Sequence, residues 1–125
     1  MVAVREAPDC GNAPRKEILR DLVIGLAEAD ADAVVGLLAE DVRWSLVGDA
    51  ELVGADAVRD WVAGLPAADE LVFEALLTHG RLAGVDGAVI GPDGAQEAFC
   101  HVLHFAGAAK TAKIVRVRSY RRTSR

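Results

Sequence analysis

Aromatic residues are scarce in this chain, at 5% of 125 positions, and cysteine occurs twice, at Cys10 and Cys100. So thin an aromatic content excludes a core built from large rings. The 52% of hydrophobic residues must pack as small aliphatic groups. Two distant cysteines exclude a disulfide framework, and their spacing matches no metal site. Free thiols in a reducing compartment, no metal and no cofactor are therefore expected. No apolar run approaches the ~18 residues that a membrane-spanning helix needs, and the first residues lack the apolar core of a signal peptide. A cytoplasmic protein without a membrane partner is the expectation. The net charge of −5 opposes nucleic acid as a partner. That charge is unevenly spread. Lys110, Lys113, Arg116, Arg118, Arg121, Arg122 and Arg125 crowd the C-terminus with no acid among them. They read as a solvated strand face and a basic tail.

What is present is periodic. Residues 1–12 carry Pro8, Gly11 and Asn12 without a period and read as a flexible leader. Residues 13–122 read as one domain, and residues 123–125 as a tail. Asn12 is placed to cap a helix with Pro14 in its first turn. Ile18, Leu19, Leu22, Val23 and Leu26 carry that helix to about Ala29. Asp30 or Asp32 then caps a short second helix, with Val34, Leu37 and Leu38 inward, ended by Glu40 and Asp41. Val42, Trp44 and Leu46 alternate with Arg43, Ser45 and Val47 as a strand. Residues 51–53 suggest another short one. Val58, Trp61, Val62 and Leu65 mark a third helix, stopped by Pro66. From there the pattern is strand-like. Strands are expected over 71–78, 81–90, 96–105 and 113–120, with a bulge or bend at Gly84 and Gly87. Three helices followed by a four-strand meander predict an α+β domain, its helices closing one face of a curved antiparallel sheet.

The last two strands hold most groups that can line a pocket. Phe99, His101, Leu103 and Phe105 share one strand face, because side chains alternate. Cys100, Val102 and His104 share the other. Val117 and Ser119 alternate with Arg116, Arg118 and Tyr120. A lone histidine on an apolar face suits a proton-exchanging group in a cavity. It equally suits a neutral core histidine bonded to a hydroxyl. Asp86, next to Gly87, suits either a turn or a carboxylate that orients His101. An inward Asp86 would need a partner, since a buried unpaired carboxylate is costly.

One resemblance joins these elements. The run Glu28-Ala-Asp-Ala-Asp-Ala-Val-Val-Gly-Leu-Leu-Ala-Glu-Asp-Val-Arg-Trp44, then Leu52-Val-Gly-Ala-Asp-Ala-Val-Arg59, then Lys113, Ile114 and Tyr120, resembles the nuclear transport factor 2-like superfamily. The likeness is to its SnoaL-like and ketosteroid isomerase-like members and covers residues 14–122. It implies a cone, the cystatin-like α+β barrel: a bent sheet wrapped around a pocket, often in a homodimer. It does not imply one activity, because isomerases, epoxide hydrolases, cyclases, dehydratases and non-catalytic members share the cone. The ketosteroid isomerase base would fall on Leu46 or Ser45, and its helix tyrosine on Leu22. Only the second oxyanion donor meets a polar group, His101. The Asp-Arg-Asp set of the limonene epoxide hydrolases would fall on Asp86, Gly84 and Ser119. Both sets are broken. A cyclase-like pair of His101 with Asp86 is the arrangement that the resemblance leaves.

The expected site is therefore His101 with Asp86, in a wall of Trp44, Leu46, Trp61, Phe99, Leu103, Val117 and Ser119. Its expected partner is a small apolar molecule. Three readings stay open: an enzyme acting by proton transfer as an isomerase, cyclase or hydrolase, a binding module using the same pocket, and a dimerisation domain whose cone is filled by side chains. A homodimer is expected through Cys100, Val102 and His104, with Arg116 and Arg118 reaching acids of the second copy.

Overall fold

The structure, a computed structural model, describes residues 1–7 and 13–123. Ten elements follow one another in the chain. They are β1 (Ala3–Glu6), α1 (Pro14–Ala27), α2 (Ala31–Val35), β2 (Leu38–Leu46) and β3 (Ala50–Val53), then α3 (Ala55–Ala63), β4 (Glu70–His79), β5 (Leu82–Ile90), β6 (Gln96–Phe105) and β7 (Ile114–Thr123). All strands join one sheet in the order β1-β4-β5-β6-β7-β2-β3. The expected antiparallel meander forms its centre, from β4 to β7. The flanks differ from expectation: β1 pairs with β4, and β2 with β7, in parallel, so the sheet is mixed.

The helices start and stop for local reasons. Pro14 lies in the first turn of α1, where its missing N–H costs nothing. The expected cap, Asn12, lies outside the described residues, as does Cys10. Asp30 caps α2, its carboxylate accepting from Ala33 N at 3.1 Å. That helix is shorter than the periodicity suggested. It ends at Val35, and Leu38, Glu40 and Asp41 belong to β2. Pairing explains the difference: Leu38 lies opposite Ile114, and the ladder outweighs one more helical turn. α1 and α2 meet closely because Gly25 has no side chain. A Cβ there would come within 2.8 Å of Val34.

Residues 3–6, expected within a flexible leader, form β1. Their anchor is lateral. Val2 is buried, and Arg20 of α1 bonds both carboxylate oxygens of Glu6 while also reaching Glu17. Near the loop between β6 and β7, Arg15 donates to Gly107 O at 3.2 Å and Ala109 O at 2.9 Å. Its guanidinium lies 3.9 Å over the Phe105 ring.

The core lies between the inner sheet face and the helices. Leu19, Leu22 and Val23 of α1 and Val58 and Val62 of α3 are buried together with Val42, Trp44, Phe73, Leu103, Ile114 and Val117 of the sheet. The bulge expected on β5 falls instead on its neighbour: the extra residue, Glu74, lies in β4 beside Gly87, and β5 runs without a skipped residue, at Gly84 as elsewhere. The β4–β5 register shifts between Phe73 and Ala75, and Gly87 passes so close to β4 that a Cβ would fall 1.8 Å from the Val72 carbonyl oxygen. Among the described residues, no helix is long and apolar enough to cross a membrane.

Candidate functional site

Cross-strand register decides which side chains meet on the inner face. His101 lies directly opposite Ser119 on β7 and opposite Val85 on β5. Phe99 lies opposite Arg121, and Leu103 opposite Val117. Directly opposed residues share a face, so one inward row runs from Glu97 through Phe99, His101 and Leu103. The facing row runs from Arg121 through Ser119 to Val117.

His101 is buried, at 4% exposure, and its Nδ1 lies 2.7 Å from the Ser119 hydroxyl. The same hydroxyl oxygen accepts from Trp44 Nε1 at 2.7 Å. The indole can only donate, and a serine has one proton to give. With Ser119 accepting from Trp44, its own proton goes to Nδ1 of a neutral imidazole. That tautomer places the ring proton on Nε2, on the edge not tied to Ser119. The alternative tautomer would aim two donors at one oxygen and leave the hydroxyl proton without a partner. Packing holds the ring as well. It stacks on Phe99 at 5.2 Å and meets Trp44 edge-on at 6.4 Å. Burial, and then the charge of Arg121, lower the His101 pKa from 6.5 to about 4. The imidazole is therefore neutral at pH 7.

His101 also stands in the wall of a cavity of about 240 Å³. α1 contributes Val23, Leu26 and Ala27 to that wall. Trp61 of α3 and the following Leu65, Pro66 and Ala68 form a second side. The sheet contributes Val89, Glu97, Phe99, His101 and Arg121. This wall is almost wholly apolar, with His101, Glu97 and Arg121 as its polar groups. The last two form an ion pair at 3.8 Å and are each about one-third exposed. The Arg121 guanidinium also lies 5.6 Å from the Trp61 ring centre. Glu97 and Arg121 border a second hollow of about 220 Å³, which Leu46, Val47, Gly48, Asp49 and Ser119 complete. Among the described residues, no group of His, Cys, Asp and Glu is placed to hold a metal ion.

The expected site is thus partly assembled. Trp61, Phe99 and His101 line the cavity. Leu46 and Ser119 line the adjoining hollow instead. Trp44, Leu103 and Val117 are fully buried and fill the core beneath, so they are not cavity wall. Trp44 packs against Trp61 at 5.4 Å between ring centres. The pairing of His101 with Asp86 does not form. Val85 is the β5 residue opposite His101, and Asp86 lies opposite Cys100 on the other face of the sheet. One step along a strand reverses the side chain, so Ser119 is the partner of His101. Cys100 is a half-buried free thiol, its pKa raised by burial and by the nearby Asp86 charge.

Arg121 and Glu97 were missed as cavity residues. The signal was present, since both continue the inward parity of Val117 and Ser119 or of Phe99 and His101. Their charge argued for solvent. They sit where the sheet leaves the helices, so each keeps part of its side chain in water.

The sequence pattern of the SnoaL-like domain matches residues 19–117. No curated protein sequence matches the chain. Solved structures do. An NTF-2 like protein of unknown function from Burkholderia xenovorans LB400 superposes with a TM-score of 0.73 at 15% identity, covering 89% of this chain and 83% of the other. A candidate SnoaL-like polyketide cyclase of Shewanella denitrificans OS-217 gives 0.71 at 13% identity, covering 89% and 92%. SalBIII, an epoxide hydrolase/cyclase-like enzyme in pyran ring formation in polyether salinomycin, gives 0.65 at 20% identity, covering 86% and 90%. At these identities the likeness is one of fold.

Proposed function

The chain belongs to the SnoaL-like domain family, and we propose that it is a small-molecule enzyme that moves protons on a carbonyl compound held in the cavity beside His101. One observation carries this reading: a buried, neutral imidazole is fixed at Nδ1 by Ser119 while it stands in the wall of an apolar cavity. Core histidines need a partner too, but they need no cavity. With Nδ1 satisfied, Nε2–H is the donor left for a ligand oxygen. A neutral imidazole polarises a carbonyl without first losing a proton, and a low pKa keeps it neutral during turnover. Glu97 is the carboxylate on the same wall. It is four residues from His101, so about 13 Å of strand separates their Cα atoms. Two side chains and a small ligand span that gap. In the step that this supports, Glu97 takes a proton from the carbon beside the carbonyl. The C–H electrons form the enolate, and His101 Nε2–H bonds its oxygen. With a β,γ double bond in the ligand the enolate is conjugated, and return of the proton from Glu97 to the γ carbon moves the double bond and completes an isomerisation. Without that double bond the proton returns to the same carbon and only exchange is seen.

The cavity volume bounds the ligand. An engineered apolar cavity of ~150 Å³ holds benzene, and ligand pockets usually span ~300–1,000 Å³. A space of about 240 Å³ takes one substituted ring. A fused four-ring ligand would project past Glu97 and Arg121. Binding without turnover is the second reading. It is favoured by Glu97 being held in an ion pair with Arg121. Small cyclic ketones, screened by NMR in deuterated water, test both. Proton transfer predicts deuterium entering beside the carbonyl, lost in His101→Phe and Glu97→Gln. Binding with no exchange leaves a binding module. Absence of any binding refutes the pocket reading.

We infer also that the outer face of β4–β7 pairs two copies of the chain. That face carries exposed Leu77, Leu82 and Tyr120 beside half-buried Cys100, Val102 and His104. Among the described residues Asp86 Oδ1 is buried with no hydrogen-bond partner. In the register, Arg118 occupies the next outward row, opposite Val102. Two-fold pairing would bring Asp86 of each copy toward the Arg116 and Arg118 side of the other, and so satisfy the carboxylate.

A further inference from the structure

Arg121 is poorly served by its surroundings. A guanidinium has five N–H donors. The ion pair with Glu97, at 3.8 Å, is too long for a hydrogen bond. Among the described residues, the Arg121 guanidinium makes no hydrogen bond, and its second contact is the face of Trp61. Such an exposed, long ion pair is weak and easily exchanged. In the free protein, water serves the donors. Yet Arg121 stands at the boundary of the two hollows, opposite Phe99, with its charge reaching His101.

We propose that the ligand carries a carboxylate and that Arg121 binds it at the cavity mouth, with the apolar ring of the ligand seated between α1, α3 and Phe99. The proposal rests on the reading that the cavity takes a small ligand, and it adds the chemical class: a monocyclic or similarly compact carboxylic acid. The guanidinium fork matches a carboxylate with two parallel N–H···O bonds, which the distant Glu97 does not make. A ligand carboxylate displaces Glu97 from Arg121 and leaves the Glu97 oxygens for the ligand's own proton. A cationic ligand fits less well. It would have to lie against Arg121 to reach Glu97, and the rest of the wall offers it no acid.

Phenylacetate and phenylacetamide are the probes, equal in shape and different in charge at pH 7.5. Dissociation constants come from NMR titration of the His101 ring signals. Phenylacetate should bind at least about tenfold more tightly, the scale of one charge-assisted hydrogen bond. Arg121→Met should remove that preference and leave phenylacetamide binding in place. Arg121→Lys should keep part of it, since the charge remains and the fork does not. Glu97→Gln should strengthen phenylacetate alone, because a competing carboxylate is gone. That variant serves as the test should Arg121→Met not fold. Equal affinity for the two probes overturns the proposal and leaves the pocket reading standing. A preference that survives Arg121→Met, or Glu97→Gln without effect on phenylacetate, also overturns it. Failure of both probes to bind overturns the proposal and the pocket reading together.

Discussion

The Ser119 hydroxyl lies 2.7 Å from His101 Nδ1, and this contact selects the ring nitrogen left for a ligand. Because Trp44 Nε1 donates to the same oxygen, the hydroxyl proton is directed at the imidazole. Ser119→Ala should leave both the indole N–H and Nδ1 unsatisfied in a buried place. Each orphan costs about 1–3 kcal/mol, so urea unfolding should show a loss of about 2–6 kcal/mol. A loss within experimental error would mean that the three groups are not coupled.

Stability should depend on pH through His101. Its pKa is about 4 in the fold and 6.5 ordinarily, so the unfolded chain binds the proton more readily. Stability is then complete above pH 6.5 and falls as pH drops toward 4, by up to about 3 kcal/mol. Arg121 faces His101 from β7 and opposes its charging. His101→Gln should flatten this part of the curve, read as the difference in urea midpoint between pH 4.5 and pH 7. An unchanged slope in the variant would assign the effect to other groups.

Two glycines of β5 should respond unequally to alanine. At Gly87 a Cβ meets the Val72 carbonyl oxygen at 1.8 Å, which backbone cannot relieve without parting β4 from β5. Gly87→Ala should cost about 3 kcal/mol or more. At Gly84 the nearest atom is the His101 carbonyl oxygen, 4.0 Å away, and Gly84→Ala should be nearly neutral. Melting temperatures of the pair check the contrast. Equal values would refute the bulge geometry.

The two tryptophans should separate core from wall. Trp44 is wholly buried, and Trp44→Ala should cost about 3–5 kcal/mol. Trp61 is half-buried at the cavity, and Trp61→Ala should cost about 1–2 kcal/mol while enlarging the ligand space. Denaturant curves give the first difference. Tighter binding of bulkier cyclic ketones by the Trp61 variant gives the second.

Pairing through the outer sheet face should give a dimer mass by light scattering at micromolar concentration. Arg118→Glu should shift the mass toward monomer, since it sets like charges against Asp86 of the second copy. A monomer mass for the unaltered chain removes the proposed dimer.

Much of the fold could be read from residue order. Val58, Trp61, Val62 and Leu65 announced α3, and the alternation of Phe99, His101, Leu103 and Phe105 announced the inner face of β6. These signals are local, because helix and strand periods act over a few residues. β1 was illegible for the opposite reason. Ala3–Glu6 has little pattern of its own, and its order comes from β4 and from Arg20, far along the chain. The site divided in the same way. The inward aim of His101 was legible from its own strand. Its partner was not, since Asp86 and Val85 differ by one residue, and only the β5–β6 ladder says which faces His101.

By itself, then, the sequence determined which face of each strand and helix is apolar, and hence an α+β sheet with helices over one side. Tertiary structure alone decided the register between strands. That register put Ser119 against His101, sent Asp86 to the outer face, and brought Arg121 and Glu97 to the cavity mouth. The physical reason is the period of two. A strand tells its own residues apart by parity, but the parity of its neighbour is set by backbone hydrogen bonds common to every residue type, and these take their register from the packing of the whole.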